Sequence, residues 1–453
     1  MTLRLLHYSD LENALDSPDR VARIASYVAR ERDENTLVVG SGDSLGPSVL
    51  SLVTGGSHLL DVYEHLSPVA ETVGNHDFDL GIDTLAAVIR ASPQTWLTTN
   101  VTDASGVLAA AGAQNSTVVD VPAGRIGFVG VITPNLPEMS DQATGIEVTD
   151  PTAAVETTVR TLRATDDVDY VVILSHVGNE AELAATLGVS VDAVLGGHSH
   201  EALATTVDGT LVGRPTVNGH HLVDVRLGES RSITHLAVEE FNPDPTVRHT
   251  LQGTIDEHGL ATPVATVTDP LTLDREASAL GESRAGNFVT DAIRWAAAAD
   301  VGLMSARAIR SREPLVGDVT ALDLIQIAPF DDELVVLDIP GDRLESVVAE
   351  LDHSVASTMR DWYFGHVSGA TLEWSAHGTL DTILIGGEPV DPSRSYTVAT
   401  TSYLVETDHI FSSFGPEDVV ASRGAFYESL VDFARTDGVN PHLEGRIVRP
   451  DQV

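Results

Sequence analysis

The sequence predicts a two-domain α/β protein. Its 453 residues are enough for two or three domains at the usual 100–200 residues each. In residues 1 to about 252, short Val/Ile/Leu runs alternate with helical segments. This sequence pattern changes after about residue 260. The Asn-Pro-Asp-Pro stretch at 242–245 is a chain breaker of the kind that separates structural elements. We therefore expect a first domain at residues 1–252 and a second, smaller one at 253–453.

The elements of the first half follow from hydrophobic periodicity. Residues 20–32 and 150–164 have the amphipathic spacing of helices, and 246–258 is expected to be a helix that joins the halves. Residues 125–132 and 170–174 are continuous apolar runs, typical of strands covered on both faces. Further strands are expected at 3–6, 36–39, 69–73 and 193–195, and a pair of strands within 211–225.

The second half has its own succession of elements. Helices are expected at 285–299 and 341–351. Strands are expected at 303–304, 334–339, 370–375, 382–385 and 396–400. This mixture predicts a second α/β domain.

The charge of the chain is extreme. There are 26 basic residues against 67 acidic ones, a net charge of −41, and every basic residue is Arg. Because the acids are spread along the whole chain and not gathered in blocks, they favour a protein kept soluble in concentrated salt, from a halophilic host. An acidic partner-binding surface is the alternative. This field disfavours binding to a nucleic-acid duplex, which needs a basic surface.

The composition also bounds the location and the chemistry. The chain has no Cys, which excludes disulfides, thiolate zinc sites and cysteine nucleophiles. No apolar run reaches the 18 or so residues of a membrane span, so no membrane partner is expected. The first residues lack the pattern of a secretory signal, and a cytoplasmic location is expected.

Five predicted strands are each followed by a cluster of metal-binding side chains. The densest is 74–79, Gly-Asn-His-Asp-Phe-Asp; the others lie at 9–13, 42–44, 175–176 and 196–200. In open α/β sheets, ligands bind at the carboxyl ends of strands. The candidate ligands are Asp10, Glu12, Asp43, Asn75, His176, His198 and His200.

Seven ligands are too many for one ion and fit two ions that share a carboxylate. Carboxylate, amide and imidazole groups without thiolate suit Mn²⁺, Zn²⁺ or Fe²⁺, with Mg²⁺ also compatible. Two such ions about 3.5–4 Å apart stabilise the attacking and leaving oxygens of a displacement at phosphorus and supply hydroxide near neutral pH.

The five motifs, in this order, resemble the calcineurin-like metallophosphoesterases, whose signature is D-x-H, G-D, G-N-H-[DE], H and G-H-x-H. The resemblance implies a four-layer sandwich of two mixed β-sheets flanked by helices. It also implies that Asp43 bridges two metal ions. The other ligands of one ion would be Asp10, Glu12 and His200, and those of the second ion would be Asn75, His176 and His198. The resemblance makes His76 the catalytic histidine, oriented by Asp79. Glu12 departs from the family's His; it either ligates, favouring Mn²⁺ or Mg²⁺, or acts through a water and weakens the first ion.

The second half resembles the C-terminal, substrate-binding domain of the 5′-nucleotidase family. Residues 281–292 are similar to its E-[ST]-x-x-G-N-[LF]-x-x-D-A motif, and 327–332 to its P-F-[GD]-N. The glycines of its N-G-G-G-I-R motif are lost at 304–310, where Ile-Arg survives, and 402–414 replaces its G-G-D-G-[YF] loop. In the family, one aromatic ring from each of two regions encloses the base. The substrate-binding candidates that follow are Arg284, Asn287, Arg310, Phe330, Asp332, Phe411 and Phe414.

The expected function is a dinuclear metal-dependent phosphohydrolase acting on nucleoside 5′-monophosphates or related nucleotides. Two alternatives stay open. The same centre could act on cyclic nucleotides, nucleotide sugars or another phosphoester, as the lost glycines suggest. In the other, Glu12 has damaged the first metal site and the chain is a weakly catalytic metal- or nucleotide-binding protein.

Overall fold

The computed structural model describes residues 2–140, 142–143, 145–352, 365–375, 379–407 and 410–449. The chain forms two compact units, Met1–His258 and Gly259–Val453. None of the helices in the described residues combines the length and apolar character needed to cross a bilayer.

The described strands and helices of the first unit alternate along the chain. The strands are β1 (Thr2–Tyr8), β2 (Thr36–Gly40), β3 (Ala70–Thr72), β4 (Thr95–Leu97), β5 (Val101–Asp103), β6 (Ser116–Val121), β7 (Gly124–Ile132), β8 (Ile146–Val148), β9 (Tyr170–His176), β10 (Ala193–Gly196), β11 (Leu203–Val207), β12 (Thr210–Arg214), β13 (His221–Gly228) and β14 (Ser232–Ala237). The α-helices are α1 (Pro18–Glu31), α2 (Val49–Thr54), α3 (His58–Leu66), α4 (Ile82–Ala91), α5 (Val107–Ala111), α6 (Leu136–Met139), α7 (Pro151–Thr165), α8 (Glu180–Thr186) and α9 (Pro245–Glu257).

Two of the long helices, α7 and α9, begin where the sequence supplies a cap. The Asp150 carboxylate accepts the Ala153 N–H at the start of α7, and Asp244 does the same for the first turn of α9. Each is followed by Pro at the first helical position, where its missing N–H is not needed. Such capping stabilises a helix by about 1 kcal/mol, so both helices begin close to the predicted residues.

Two six-stranded sheets form the frame of this unit. Their strand orders are β14-β13-β1-β2-β3-β4 and β11-β12-β10-β9-β7-β6. In the first sheet β1, β2 and β3 are parallel neighbours while β13 is antiparallel to β1. In the second, β7, β9, β10 and β12 run parallel, with antiparallel strands at both edges. Both sheets are therefore mixed.

The core lies between the sheets. Leu3, Leu5 and Val39 of the first sheet pack in one cluster with Phe128 and Leu174 of the second. Alternate residues of the same strands point the other way, because side chains alternate across a sheet. Those of the second sheet pack under α7 and α8 in a separate apolar cluster. Sheet against sheet with helices outside is the predicted layer order.

One prediction in this unit is wrong. Residues 211–225 do not form a pair of strands with each other, because β12 and β13 belong to different sheets. β12 pairs with β10 and β11, whereas β13 pairs with β1 and β14. Both strands are apolar, and apolar alternation identifies a strand without identifying its partner.

The described part of the second unit is also mixed α/β. Its strands are β15 (Pro263–Leu273), β16 (Val301–Ser305), β17 (Arg312–Thr320), β18 (Glu333–Pro340), β19 (Gly365–Ser368), β20 (Ala370–Trp374), β21 (Leu380–Ile385), β22 (Glu388–Pro389), β23 (Ser395–Thr401), β24 (Val419–Ala425) and β25 (Ile447–Val448). Its α-helices are α10 (Arg275–Ala279), α11 (Arg284–Ala297), α12 (Ala321–Ile325), α13 (Gly341–Ala349), α14 (Ser402–Glu406) and α15 (Phe426–Asp437). The sheets have the orders β19-β16-β23-β18-β24, β22-β21-β20-β25 and β15-β17. The predicted fold class, two mixed sheets flanked by helices plus a smaller α/β unit, is confirmed.

Candidate metal centre and active site

Five loops with ligand-type side chains begin where strands of the first unit end. Asp10, Asp43 and Asn75 follow the parallel neighbours β1, β2 and β3. His176 ends β9, and the loop containing His198 follows the adjacent parallel strand β10. Parallel neighbours end at the same edge of a sheet, so each sheet presents its loops together.

The first group of ligands joins the two sheets. Ligand atoms of Asp43, His176 and His198 lie within 4.8 Å of one another. His176 Nε2 is 2.9 Å from Asp43 Oδ2, and both side chains are buried. His176 Nδ1 donates to the Ser41 carbonyl at 2.6 Å. That bond fixes the tautomer and leaves Nε2 as the nitrogen that can ligate.

The second group contains the residue that departs from the family pattern. Ligand atoms of Asp10, Glu12 and His200 lie within 4.8 Å of one another. His200 Nε2 is 3.0 Å from Glu12 Oε1 and 3.5 Å from Asp10 Oδ1. Both carboxylates are almost fully buried. Glu12 thus lies among the other candidate ligands, as direct ligation requires.

Two buried oxygens indicate that these groups fit cations. Asn75 Oδ1 and Asp10 Oδ2 are inaccessible to solvent and accept no hydrogen bond from the described residues. A buried polar atom without a partner costs about 1–3 kcal/mol, and a cation removes that cost by accepting the lone pairs. Hard oxygen and imidazole donors are the set that divalent Mn, Zn, Fe or Mg ions take.

The backbone of these loops is strained. Asp10, Asp43, His198 and His200 have φ between 50° and 74°, a region that non-glycine residues rarely adopt. The close approach of the loops also requires Gly74, where a Cβ would overlap the Asp43 carboxylate. Strain of this kind costs about 1–3 kcal/mol per residue and clusters at functional sites.

His76 is placed beside the first group without belonging to it. Its backbone N–H donates to Asp43 Oδ1 at 2.8 Å, and its Nδ1 lies 2.7 Å from Asp79 Oδ2. Both side chains are about one-fifth exposed, in contrast to the buried Asp43 and His176. A carboxylate that holds one ring nitrogen orients the other for acid–base work.

In the second unit, Arg310 and Phe330 form a pair. The Arg310 guanidinium lies 5.0 Å from the centroid of the Phe330 ring, within the range of a cation–π contact. Both side chains are partly exposed, as is Asp332. Phe411 and Phe414 are instead buried and stack on each other, with centroids 5.0 Å apart.

Arg284 and Asn287 are engaged in contacts within the same unit. Arg284 donates to the Pro441 carbonyl at 2.8 Å and pairs with Asp269. Asn287 is buried, and its amide donates to Glu282 and to the His442 carbonyl. The bonds to Pro441 and His442 join α11 to the C-terminal segment, by which we mean the residues that follow α15.

Comparisons with known families agree with this division. Residues 3–202 match the family model of the calcineurin-like phosphoesterases, and residues 263–415 match that of the 5′-nucleotidase C-terminal domain. The chain belongs to the family that joins these two domains. It is therefore a hydrolase of the metallophosphoesterase and 5′-nucleotidase type.

The relatives of this chain carry the names of different enzymes. The chain is 23% identical to the endonuclease YhcR of Bacillus subtilis, covering 89% of this chain but 37% of the relative. It is 24% identical to an apyrase of Tabanus yao, covering 94% of this chain and 87% of the relative. A 5′-nucleotidase precursor from Thermus thermophilus superimposes with a TM-score of 0.81 at 23% identity over 99% of both chains. That likeness supports the fold.

In the phosphoesterase domain, Asp77 supports the site although it is not among the residues predicted from the sequence. Its buried carboxylate accepts the backbone N–H groups of Asp43 (3.1 Å), Ser44 (3.0 Å), Leu45 (2.8 Å) and Gly74 (2.7 Å). It thereby joins the loop that carries Asp43 to the loop that carries Asn75. The available signal was its place in the G-N-H-D motif itself.

The phosphoesterase domain also holds a strongly interacting set of charges. Burial, the largest single effect, lowers the pKa of His176, but the Asp43 and Asp10 carboxylates and the Ser41 carbonyl together raise that pKa to about 10. Burial raises the pKa of Asp10. Burial and the Asp43 charge raise the pKa of Asp77 to about 6. Burial likewise raises the pKa of Glu71, an acid in the buried strand β3, to about 7.

Proposed function

We propose that the chain is a two-metal phosphohydrolase that releases phosphate from nucleoside 5′-monophosphates or related nucleotides. The observation that carries the proposal is the pair of ligand groups built on buried carboxylates, one around Asp43 and one around Asp10, with His76 and Asp79 beside them. Exposed acidic groups are common without a metal, but buried carboxylates gathered in one place are costly unless they hold a cation.

The ligands divide into two sets that share Asp43. Asp10, Glu12, Asp43 and His200 would hold one ion, and Asp43, Asn75, His176 and His198 the other. When bound, two such ions supply Lewis acidity toward the phosphoryl oxygens and activate water. Asp10 Oδ2 and Asn75 Oδ1, which accept no hydrogen bond from any described residue, support the fit.

The two ions would not be equivalent. The set with Asp10 and Glu12 is rich in carboxylate and favours Mn²⁺ or Mg²⁺, whereas the set with His176 and His198 is rich in imidazole and favours Zn²⁺ or Fe²⁺. Glu12 creates this difference, since the family pattern has His there. Manganese as a resident metal, the halophilic host and the cytoplasmic location stay predictions from the sequence.

His76 would act on the substrate and not on the metals. Asp79 holds its Nδ1 at 2.7 Å, which leaves Nε2 to donate a hydrogen bond to a phosphoryl oxygen or a proton to the leaving oxygen. Either role requires Nε2 to carry a proton while Nδ1 donates to Asp79.

Substrate contact is assigned to the partly exposed side chains of the C-terminal domain. Phe330 offers a ring face for a base, and Arg310 and Asp332 offer charged groups near the same segment. Arg284 and Asn287 receive a structural role, because their polar groups bind α11 to the C-terminal segment.

A second candidate is a different phosphoester substrate, such as a cyclic nucleotide or a nucleotide sugar. The observation favouring it is that Phe411 and Phe414 pack on each other and are buried. The adjacent Ser412 and Ser413 donate to the Glu350 carboxylate, which holds this segment in place. A ring in that position is not available to enclose a base.

The test is a panel of hydrolysis rates in high salt with Mn²⁺, run on wild type, Phe330→Ala and a matched control, Phe433→Ala. Phe433 is a partly buried ring of the same domain that contacts Phe288 and Trp295. Phe330→Ala should raise KM for nucleoside monophosphates about tenfold, the scale of a lost aromatic contact. Hydrolysis of p-nitrophenyl phosphate should not change, and Phe433→Ala should alter neither.

Each other result selects an alternative. Fastest turnover of cyclic nucleotides or nucleotide sugars would favour the second candidate. Equal losses toward both substrates in Phe330→Ala would mean that the ring only stabilises the domain. Metal-loaded protein without activity on any phosphoester would leave the weakly catalytic binding protein.

A further inference from the structure

A buried ion pair contacts the two loops that carry the three histidine ligands, one after β9 and one after β10. Arg214 is the last residue of β12, which neighbours β10, and Glu180 is the first residue of α8, which follows β9. Arg214 Nη1 is 2.6 Å from Glu180 Oε2, and the two side chains are 8% and 0% exposed. Neither residue belongs to a sequence motif or ligates a metal in the proposed centre.

The guanidinium of Arg214 contacts both loops. Nη1 donates to the carbonyl of Gly178, two residues after His176, at 2.9 Å. Nε donates to the carbonyl of Glu201, one residue after His200, at 2.7 Å. One rigid planar group therefore fixes the distance between the end of the β9 loop and the end of the β10 loop.

Further contacts hold Gly178 in place. Ser199 Oγ donates to the Gly178 carbonyl at 2.6 Å, and the Gly178 N–H donates to Glu180 Oε1 at 3.1 Å. A Cβ at Gly178 would overlap the His198 imidazole, so the loops are in direct contact. Displacement of Gly178 would move the His198 ring.

Stability alone is a weak reason for this arrangement. Replacing a buried ion pair by apolar residues of similar volume is often neutral or stabilising, because the charges must be desolvated. The contacts to Gly178 and Glu201 need a planar donor with several N–H groups, which an apolar side chain lacks. The pair is thus suited to setting loop positions.

We propose that Arg214 and Glu180 are positioning residues that hold the imidazoles of His176, His198 and His200 in the geometry for metal binding. The inference rests on the proposed metal centre and extends it to residues outside the ligand set. Mutation of a residue that orients a metal ligand typically lowers metal affinity by about 10- to 100-fold.

The experiment compares Arg214→Met, Arg214→Lys and a control, Arg4→Met, as full-length chains in high salt. Arg4 forms a similarly buried pair with Asp224 but lies near the start of β1, whose other end leads to Asp10. Zn²⁺ and Mn²⁺ affinities are measured by chelator competition, the Co²⁺ absorption spectrum reports ligand geometry, and Tm is measured on the same samples.

Arg214→Met should lose about 10- to 100-fold in metal affinity and change the Co²⁺ spectrum. Arg214→Lys should recover part of the loss, since it keeps the pair with Glu180. Arg4→Met should lower Tm yet keep affinity and spectrum. If Arg214→Met does not fold, the Arg214→Lys result against the control decides the question.

Wild-type affinity in both Arg214 variants would overturn the inference. Losses that follow Tm equally in the Arg214 and Arg4 variants would also overturn it, because the pair would then be only structural. Wild-type protein that binds no metal would refute the proposed centre together with this inference, whereas the first two results would refute the inference alone.

Discussion

The substitution Asp77→Asn tests how the bridging carboxylate is held. Asp77 Oδ1 accepts the N–H groups of Ser44 and Leu45, and Oδ2 accepts those of Asp43 and Gly74. An amide keeps one of these oxygens and replaces the other by NH₂, so two buried N–H groups lose their acceptor in either orientation. At about 1–3 kcal/mol each, this destabilises the native loops by about 2–6 kcal/mol.

A second effect opposes the first. The pKa of Asp77 is raised to about 6 from 3.8, so the ionised carboxylate at pH 8 lowers stability by about 3 kcal/mol, which the neutral amide removes. The net change in unfolding free energy then lies between a gain of about 1 and a loss of about 3 kcal/mol, whereas the loop carrying Asp43 still loses its anchor. Metal binding should therefore fall by about 10- to 100-fold, and the Tm of the metal-free protein should fall by no more than a loss of about 3 kcal/mol allows.

The assay is metal retention after dialysis against graded chelator at pH 8, with Asp103→Asn as the control. Asp103 also accepts two backbone N–H groups, from Ser105 and Leu108, but water reaches it and can replace them. Asp103→Asn should retain both ions. Wild-type metal affinity in Asp77→Asn would refute the assignment of Asp77 as the anchor of the Asp43 loop.

Three further predictions concern catalysis, pH and salt. His76→Ala should keep both metals and lower kcat by about 10²–10⁴-fold, the range for acid–base groups; loss of metal would instead make His76 a ligand. The pKa of Glu71 is about 7 in the folded protein, above the value of 4.5 in the unfolded chain. The protonated side chain therefore contributes its full share to the free energy of unfolding below about pH 4.5, and about 3 kcal/mol of that free energy is lost as the pH rises through 7. Urea denaturation of Glu71→Gln should lack that slope, and a wild-type-like slope would exclude Glu71 as its source. With a net charge of −41, Tm should rise steeply between about 0.1 M and 1 M salt, where the Debye length falls from about 10 to 3 Å; a flat profile would contradict the halophilic origin.

The first domain was the more predictable half because its chemistry follows strand ends. Asp10, Asp43 and His176 each come within a few residues of the end of an apolar run, and such runs indicate buried strands even when their partner strands are not known. The pairing of β12 and β13 was not predictable in the same way. Both are apolar, and only the three-dimensional packing assigns one to each sheet.

The supporting residues were hidden from the sequence for a different reason. Asp77 acts on backbone N–H groups, which every residue carries, so its four partners leave no mark in the residue types. Arg214 and Glu180 are 34 positions apart and meet only because β10 and β12 are adjacent. In the second domain, Phe411 and Phe414 had the residue type of base-stacking rings, and only their burial against each other separates packing from binding.

The same features that make the centre a metal site make it unfavourable as bare protein. Asp10 Oδ2 and Asn75 Oδ1 are buried and accept no hydrogen bond within the part of the chain that the structure describes, and Asp43 and His198 have strained backbones. Each such feature costs about 1–3 kcal/mol, a sum comparable to the net stability of a domain. The folded protein can keep these unfavourable loop conformations only if contacts with the surrounding structure hold the loops in place. The four backbone hydrogen bonds that Asp77 accepts are contacts of that kind. Anchoring residues of this type are therefore as necessary to the centre as the ligands, because without them the strained loops would relax away from the metal-binding geometry.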